Sequence, residues 1–116
     1  MAVKRMMQGD SYPLPFTITM NGTTEITPDL IADMELCIGD ESGVLIRKTL
    51  SSGSVWYDDI ERKWFFRPTQ QETLGLDPQG YDVVVRVKLS NGADADVIGI
   101  PIGRIIITDG QSEEVI

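Results

Sequence analysis

Histidine does not occur anywhere in this chain of 116 residues. That absence removes imidazole-based nucleophile activation, in Ser-His-Asp and Cys-His form alike, together with His-ligated zinc or iron and a histidine pH switch. Cysteine occurs once, at Cys37, so neither an intrachain disulfide nor a thiolate zinc cluster is available. Its position in the alternating segment Met34-Glu35-Leu36-Cys37-Ile38 gives it the role of a small strand residue. No apolar run approaches the ~20 residues of a membrane-spanning helix. Neither Gly-x-x-x-x-Gly-Lys-Ser/Thr nor Gly-x-Gly-x-x-Gly is present, which removes the nucleotide-loop readings. Cations are scarce: 10 Lys and Arg stand against 18 Asp and Glu, a net charge of −8. Such a surface repels phosphate, so nucleic acid and anionic membrane are not expected as partners. Met1 to Asp10 carries two cations without a following apolar stretch, and the expectation is a chain that stays in the cytoplasm where it is made.

Alternation with period 2 is what the sequence has in quantity. Tyr81, Val83, Val85, Val87 and Leu89 alternate with Asp82, Arg86, Lys88 and Ser90 before Asn91-Gly92, the pattern of a two-faced strand entering a hairpin. Phe16, Ile18 and Met20 alternate with Thr17 and Thr19 before Asn21-Gly22, again with hairpin-turn chemistry. That turn also accounts for the formal glycosylation triplet Asn21-Gly22-Thr23. Met34, Leu36 and Ile38 give a further strand, followed by Val44 to Leu50, Val55 to Tyr57 and Lys63 to Arg67, in which Trp64 and Phe66 share one face and Phe65 takes the other. Val97 to Thr108 is apolar in nearly every position. Thr27 to Ile31 could hold a brief helical turn. One further helical signal stands out, Pro68-Thr69-Gln70-Gln71-Glu72-Thr73-Leu74, with Pro at its start and Gly75 at its end.

About seven to nine short antiparallel strands, with turns every ~8–12 residues and one short helical turn near 68–75, predict an all-β, immunoglobulin-like β-sandwich. Residues 1–108 are expected to form a single domain, with 109–116 an acidic tail or the start of a linker.

The remaining reactive inventory is carboxylate: Asp40/Glu41, Asp58/Asp59/Glu61 and Asp94/Asp96. A glycosidase needs two carboxyls opposed across a bond, whereas acids of this kind in a small sandwich cap turns and keep edges soluble. Asp58, Asp59 and Glu61 offer hard oxygens in one loop, but the spacing of a dedicated calcium loop is missing. No catalytic, cofactor-binding or metal-ligating residue is assigned, and the chain is not expected to be an enzyme or to use a cofactor. Trp56, Tyr57, Trp64 and Phe65 offer a sugar-stacking platform, with Trp56 or Tyr57 as the exposed ring, while half of the aromatics on these strands must point into the core. Ile105, Ile106 and Ile107 suggest a strand apolar on both faces, one of which needs cover; these three, with Leu14 and Phe16, are the candidate interface residues.

Taken in order, Gly9-Asp10, Leu14-Pro15-Phe16-Thr17-Ile18, Pro68-Thr69-Gln70-Gln71-Glu72-Thr73, Gly80-Tyr81-Asp82-Val83, Asn91-Gly92 and Gly103-Arg104-Ile105 resemble the N-terminal immunoglobulin-like domain of baseplate upper proteins in phages and prophages of Gram-positive bacteria. The resemblance runs from about Val3 to Thr108. It implies a virion structural protein, a tail or baseplate component that works by protein–protein interaction with other tail or baseplate proteins and as a homo-oligomer, and that ends up in the virion. The alternative function is a carbohydrate- or surface-binding β-sandwich module that uses exposed aromatics.

Overall fold

Alternating apolar residues become strands wherever a partner strand can satisfy their backbone. A computed structural model describes residues 3–90 and 96–116. In chain order the elements are β1 (Val3–Met7), β2 (Leu14–Phe16), β3 (Thr19–Met20), β4 (Thr24–Glu25), a 3-10 turn (Pro28–Leu30), β5 (Ile31–Asp40), β6 (Gly43–Thr49), β7 (Val55–Asp58), β8 (Lys63–Phe66), α1 (Gln70–Leu74), β9 (Gly80–Leu89) and β10 (Val97–Thr108). A five-stranded sheet in the order β1-β10-β9-β5-β6 faces a three-stranded sheet β2-β8-β7, and β3-β4 form a separate hairpin. The all-β sandwich expected from the sequence is the architecture found. Its order also follows that of variable-type immunoglobulin sandwiches, in which C, C′, F and G share one sheet opposite B, E and D. The likeness is one of architecture.

The inner faces follow the alternation. Tyr81, Val83, Val85 and Val87 of β9, Met34, Leu36 and Ile38 of β5, and Trp64 and Phe66 of β8 belong to one buried cluster. Trp64 Nε1 donates to Ile26 O at 2.9 Å, which satisfies the indole N–H inside an apolar core. Tyr81 Oη donates to Asp77 O at 2.8 Å, the closure known as a tyrosine corner at the entry to this strand of immunoglobulin-type sandwiches.

Three details differ from the sequence reading, and a fourth lies outside the described residues. The segment Phe16 to Met20 is not one strand: the chain leaves β8 after Phe16, and Ile18 O instead accepts from Ile26 N at 2.9 Å. Ile18 stays buried all the same. Secondly, β1 pairs parallel with β10 while the other pairings are antiparallel. Hairpin signals read neighbour to neighbour and do not report a pairing between the first and last strands. Thirdly, β10 is not apolar on both faces by design: a bulge between Pro101 and Gly103 resets its phase. Ile98, Ile100 and Ile102 face the core before it, and Ile105 and Ile107 after it. Fourthly, the Asn91-Gly92 hairpin turn lies outside the described residues, although β9 and β10 do pair antiparallel on either side of it. The Asn21-Gly22 turn is seen directly, both residues at positive φ (54° and 72°) and Thr23 N donating to Met20 O at 3.3 Å.

The helical turn forms where the sequence places it. Thr69 caps α1 through a capping box, its hydroxyl accepting from Glu72 N at 3.1 Å while Glu72 Oε1 accepts from Thr69 N at 2.8 Å. The segment 109–116 runs back beside it, with Gly110 N donating to Gln8 Oε1 at 3.3 Å and Ile116 N to Gln70 Oε1 at 3.1 Å.

Gly39 carries a backbone requirement: a Cβ there would collide with the carbonyl oxygen of Gly43 across the β5–β6 hairpin. Gly39→Ala is expected to cost about 1–3 kcal/mol, the range of overpacking against backbone that cannot swing away, read as a lower urea midpoint at unchanged slope.

Candidate functional site

The strand register decides which residues any partner can reach. Of the five candidate interface residues, Leu14, Phe16, Ile105 and Ile107 are buried in the protein's own core. Their assignment to an interface is corrected, because β2 turns Leu14 and Phe16 inward and the β10 bulge brings Ile105 and Ile107 onto the inner face. Ile106 alone faces outward, between Arg5 of β1 and Gly80 of β9, and is half-buried.

The aromatics divide likewise. Val55, Tyr57, Trp64 and Phe66 take the inner face of the three-stranded sheet, with Tyr57 edge-on to Trp64 at a centroid distance of 5.0 Å. Tyr57 is therefore not part of an exposed platform. Trp56 and Phe65 do face outward as cross-strand neighbours, their rings stacked at 5.9 Å with planes 15° apart, and Pro15 follows Phe65 across the next pairing. All three are half-buried.

The carboxylates serve turns. Asp40 accepts from Ser42 N at 2.8 Å, Ser42 Oγ at 2.5 Å and Gln79 Nε2 at 3.0 Å, and the hydrogen bonds from Ser42 hold its carboxyl below its ordinary value. Asp58 Oδ1 accepts from Ile60 N at 2.9 Å and Glu61 N at 3.0 Å, closing the β7–β8 hairpin. Among the described residues no three His, Cys, Asp or Glu are grouped as metal ligands; Asp94 lies outside them. Cys37 sits half-buried on the outer face of β5 beside Glu35, and burial together with that carboxylate pushes its thiol above the ordinary 9.0. A thiol held protonated in this way is a poor nucleophile.

A feature the linear sequence does not display is the outer face of the five-stranded sheet. Arg5, Arg47, Arg86, Lys88 and Arg104, five of the ten Lys and Arg, project from it, against Asp33, Glu35 and Asp82; Asp40 and Glu41 stand at its margin. Glu35 pairs with Arg47 at 3.2 Å and Asp82 with Arg104 at 3.4 Å. Val3, Met7, Val44, Leu45 and Val97, five of the nine large exposed apolar side chains among the described residues, lie on the same face or its edges. Shallow depressions mark it: one of about 220 Å³ lined by Asp33, Met34, Glu35, Arg86, Lys88 and Val97, one of about 310 Å³ by Cys37, Gly39 and Val84 with their neighbours, and one of about 510 Å³ by Gly80, Asp82 and Arg104 with Asp40 and Glu41 at the margin. Arginine beside exposed apolar groups is a composition found at protein interfaces. Period-2 reading shows which residues face out; register shows that they face out together.

The β6 edge of that sheet carries its own guard. Lys48 points inward from this edge strand and its Nζ meets Glu72 Oε1 of α1 at 2.6 Å. An inward charge on an edge strand opposes pairing with a foreign strand, which favours contacts through the face.

Comparison with protein-family models, curated proteins and solved structures returns no match to this chain.

Proposed function

We propose that this chain is a virion structural protein of a phage or prophage, a tail or baseplate component that acts by protein–protein assembly. The observation that carries the reading is the outer face of the five-stranded sheet, which gathers arginine and exposed apolar side chains in a chain of net charge −8. Scaffolding is what such a face does: it offers buried area and directional ion pairs, with specificity set by charge placement. The ordered likeness of Gly9-Asp10, Gly80-Tyr81-Asp82-Val83 and Gly103-Arg104-Ile105 to baseplate upper proteins supplies the particle in which it would do so. The test is to purify particles from a culture of the host after induction and quantify this chain by mass spectrometry. A fixed copy number per tail is expected; particles that lack it would refute the reading.

A second reading rests on Trp56 and Phe65, whose outward, stacked rings suit the faces of sugar rings. In that case Trp56→Ala abolishes binding on a glycan array while lowering stability by only about 0.5–1.5 kcal/mol, the worth of its stack on Phe65 outside the core. A wild-type protein that binds no glycan removes this reading.

A further inference from the structure

The β7–β8 hairpin ends in Asp59-Ile60-Glu61, where Ile60 is 94% exposed. An apolar side chain held fully in water between two acids complements one side of the depression on the outer sheet face, where Val97 stands beside Arg86 and Lys88, with Asp33 and Glu35 on the other side. The tip is also held rigid: Asp58 Oδ1 accepts from Ile60 N and Glu61 N, Arg62 N donates to Asp58 O at 2.8 Å, and Arg62 takes φ 56°. A rigid tip loses little entropy when it docks.

We propose that the Asp59-Ile60-Glu61 tip of one copy docks on the outer face of the five-stranded sheet of a second copy, Ile60 entering the depression beside Val97 and the two acids meeting Arg86 and Lys88. The inference rests on the assembly reading and names its first contact. Arg86 and Lys88 stand opposite Glu35 and Asp33 across the β5–β9 pairing but make no ion-pair contact with a described residue, so their N–H donors are available to an incoming carboxylate. The acids in the depression are already engaged, Glu35 by Arg47 and Asp33 by Met34 N at 2.8 Å. Tip and face are different surfaces of the same chain, so the contact is head-to-tail. It leaves a free tip at one end and a free face at the other, and it grows into a ring where the rotation closes.

The test is solution mass by light scattering after size exclusion, over a range of concentrations. At ionic strength near 0.15 M, where the Debye length is about 8 Å, the long-range repulsion between two chains of net −8 is screened while contact pairs survive. A mass above 12.9 kDa is expected there, with weaker association at about 1 M salt, where the Debye length is about 3 Å. Ile60→Ser and, separately, Arg86→Glu with Lys88→Glu should each weaken association about tenfold or more. The melting temperature of Ile60→Ser should not change, since Ile60 is exposed, while that of Arg86→Glu/Lys88→Glu should fall modestly, since its new carboxylates face Glu35 and Asp33 across the β5–β9 pairing. Asp59→Lys with Glu61→Lys should also be monomeric alone, and mixed with the Arg86→Glu/Lys88→Glu chain should associate again, the two variants alternating, because each tip then meets a face of opposite charge. A chain that stays monomeric at 0.15 M, association untouched by Ile60→Ser, or a charge-swapped pair that fails to combine each overturns the inference. A monomer that is nevertheless found in purified particles overturns it while leaving the assembly reading standing.

Discussion

Trp64→Ala is expected to remove about 3–5 kcal/mol of folding stability, the cost of deleting a large buried aromatic and leaving its cavity. Trp64 is 1% exposed, and its ring sits edge-on to Tyr57. Its Nε1 holds the carbonyl of Ile26 at 2.9 Å, so truncation also leaves a buried acceptor without its donor. Against a total of about 5–15 kcal/mol for a domain of this kind, the variant approaches the threshold of folding at physiological temperature. Trp64→Phe separates the two contributions: it keeps most of the ring volume, loses the N–H, and should cost about 1–3 kcal/mol. Urea titration followed by circular dichroism reads both. A loss below about 1 kcal/mol for Trp64→Ala would mean that the indole is not packed between the sheets.

Glu72→Ala should be the second largest effect, about 2–4 kcal/mol. Its carboxylate completes the capping box of α1, worth about 1 kcal/mol, and is the partner of a lysine whose side chain is only 9% exposed. Removing one member of a fully buried pair costs about 3–5 kcal/mol; Glu72 is itself 29% exposed, which lowers the figure here. Glu72→Gln keeps an acceptor for Thr69 N and removes the charge, so its smaller loss isolates the ionic part. The pH dependence has a definite sign. Burial pushes the Glu72 carboxyl up, but Lys48 and the Thr69 N–H outweigh it and hold the group below its ordinary 4.5. Its contribution is therefore complete above the unfolded value of 4.5 and is lost as pH falls through the lower folded value. Stability curves of wild type and Glu72→Gln should run parallel from neutral pH down to about 5 and converge below it. A gap that stays constant into strong acid would show that the pair contributes nothing ionic.

The inner faces of this sandwich were legible because one physical rule makes them: on a strand, successive side chains alternate, and a buried face needs apolar residues at every second position. That rule placed Tyr81 to Val87, Met34 to Ile38, and Trp64 with Phe66. The helical turn near 68–75 was legible too, since its signals, Pro at the start and Gly75 at the end, are adjacent in sequence. The interface assignment failed at β10 for an equally physical reason. One extra residue at the Pro101–Gly103 bulge shifts the phase, and no pattern of isoleucines distinguishes a shifted single face from two apolar faces. Leu14 and Phe16 failed because a strand's apolar side can face either a partner or its own core, and the choice belongs to the sheet opposite.

By itself, then, the sequence determined the class of fold, the turn chemistry at Asn21-Gly22 and the absence of imidazole or paired-thiolate chemistry, since these depend on neighbours along the chain or on composition. Tertiary structure alone decided which strands lie side by side, that β1 runs parallel to β10, that Lys48 reaches Glu72, and that Trp56 and not Tyr57 faces out. It also decided that five cations scattered from Arg5 to Arg104 share one outer face while Ile60 stands between its acids on another surface. Such facts are set by register between strands far apart in sequence, where one residue of slip moves every side chain to the opposite face.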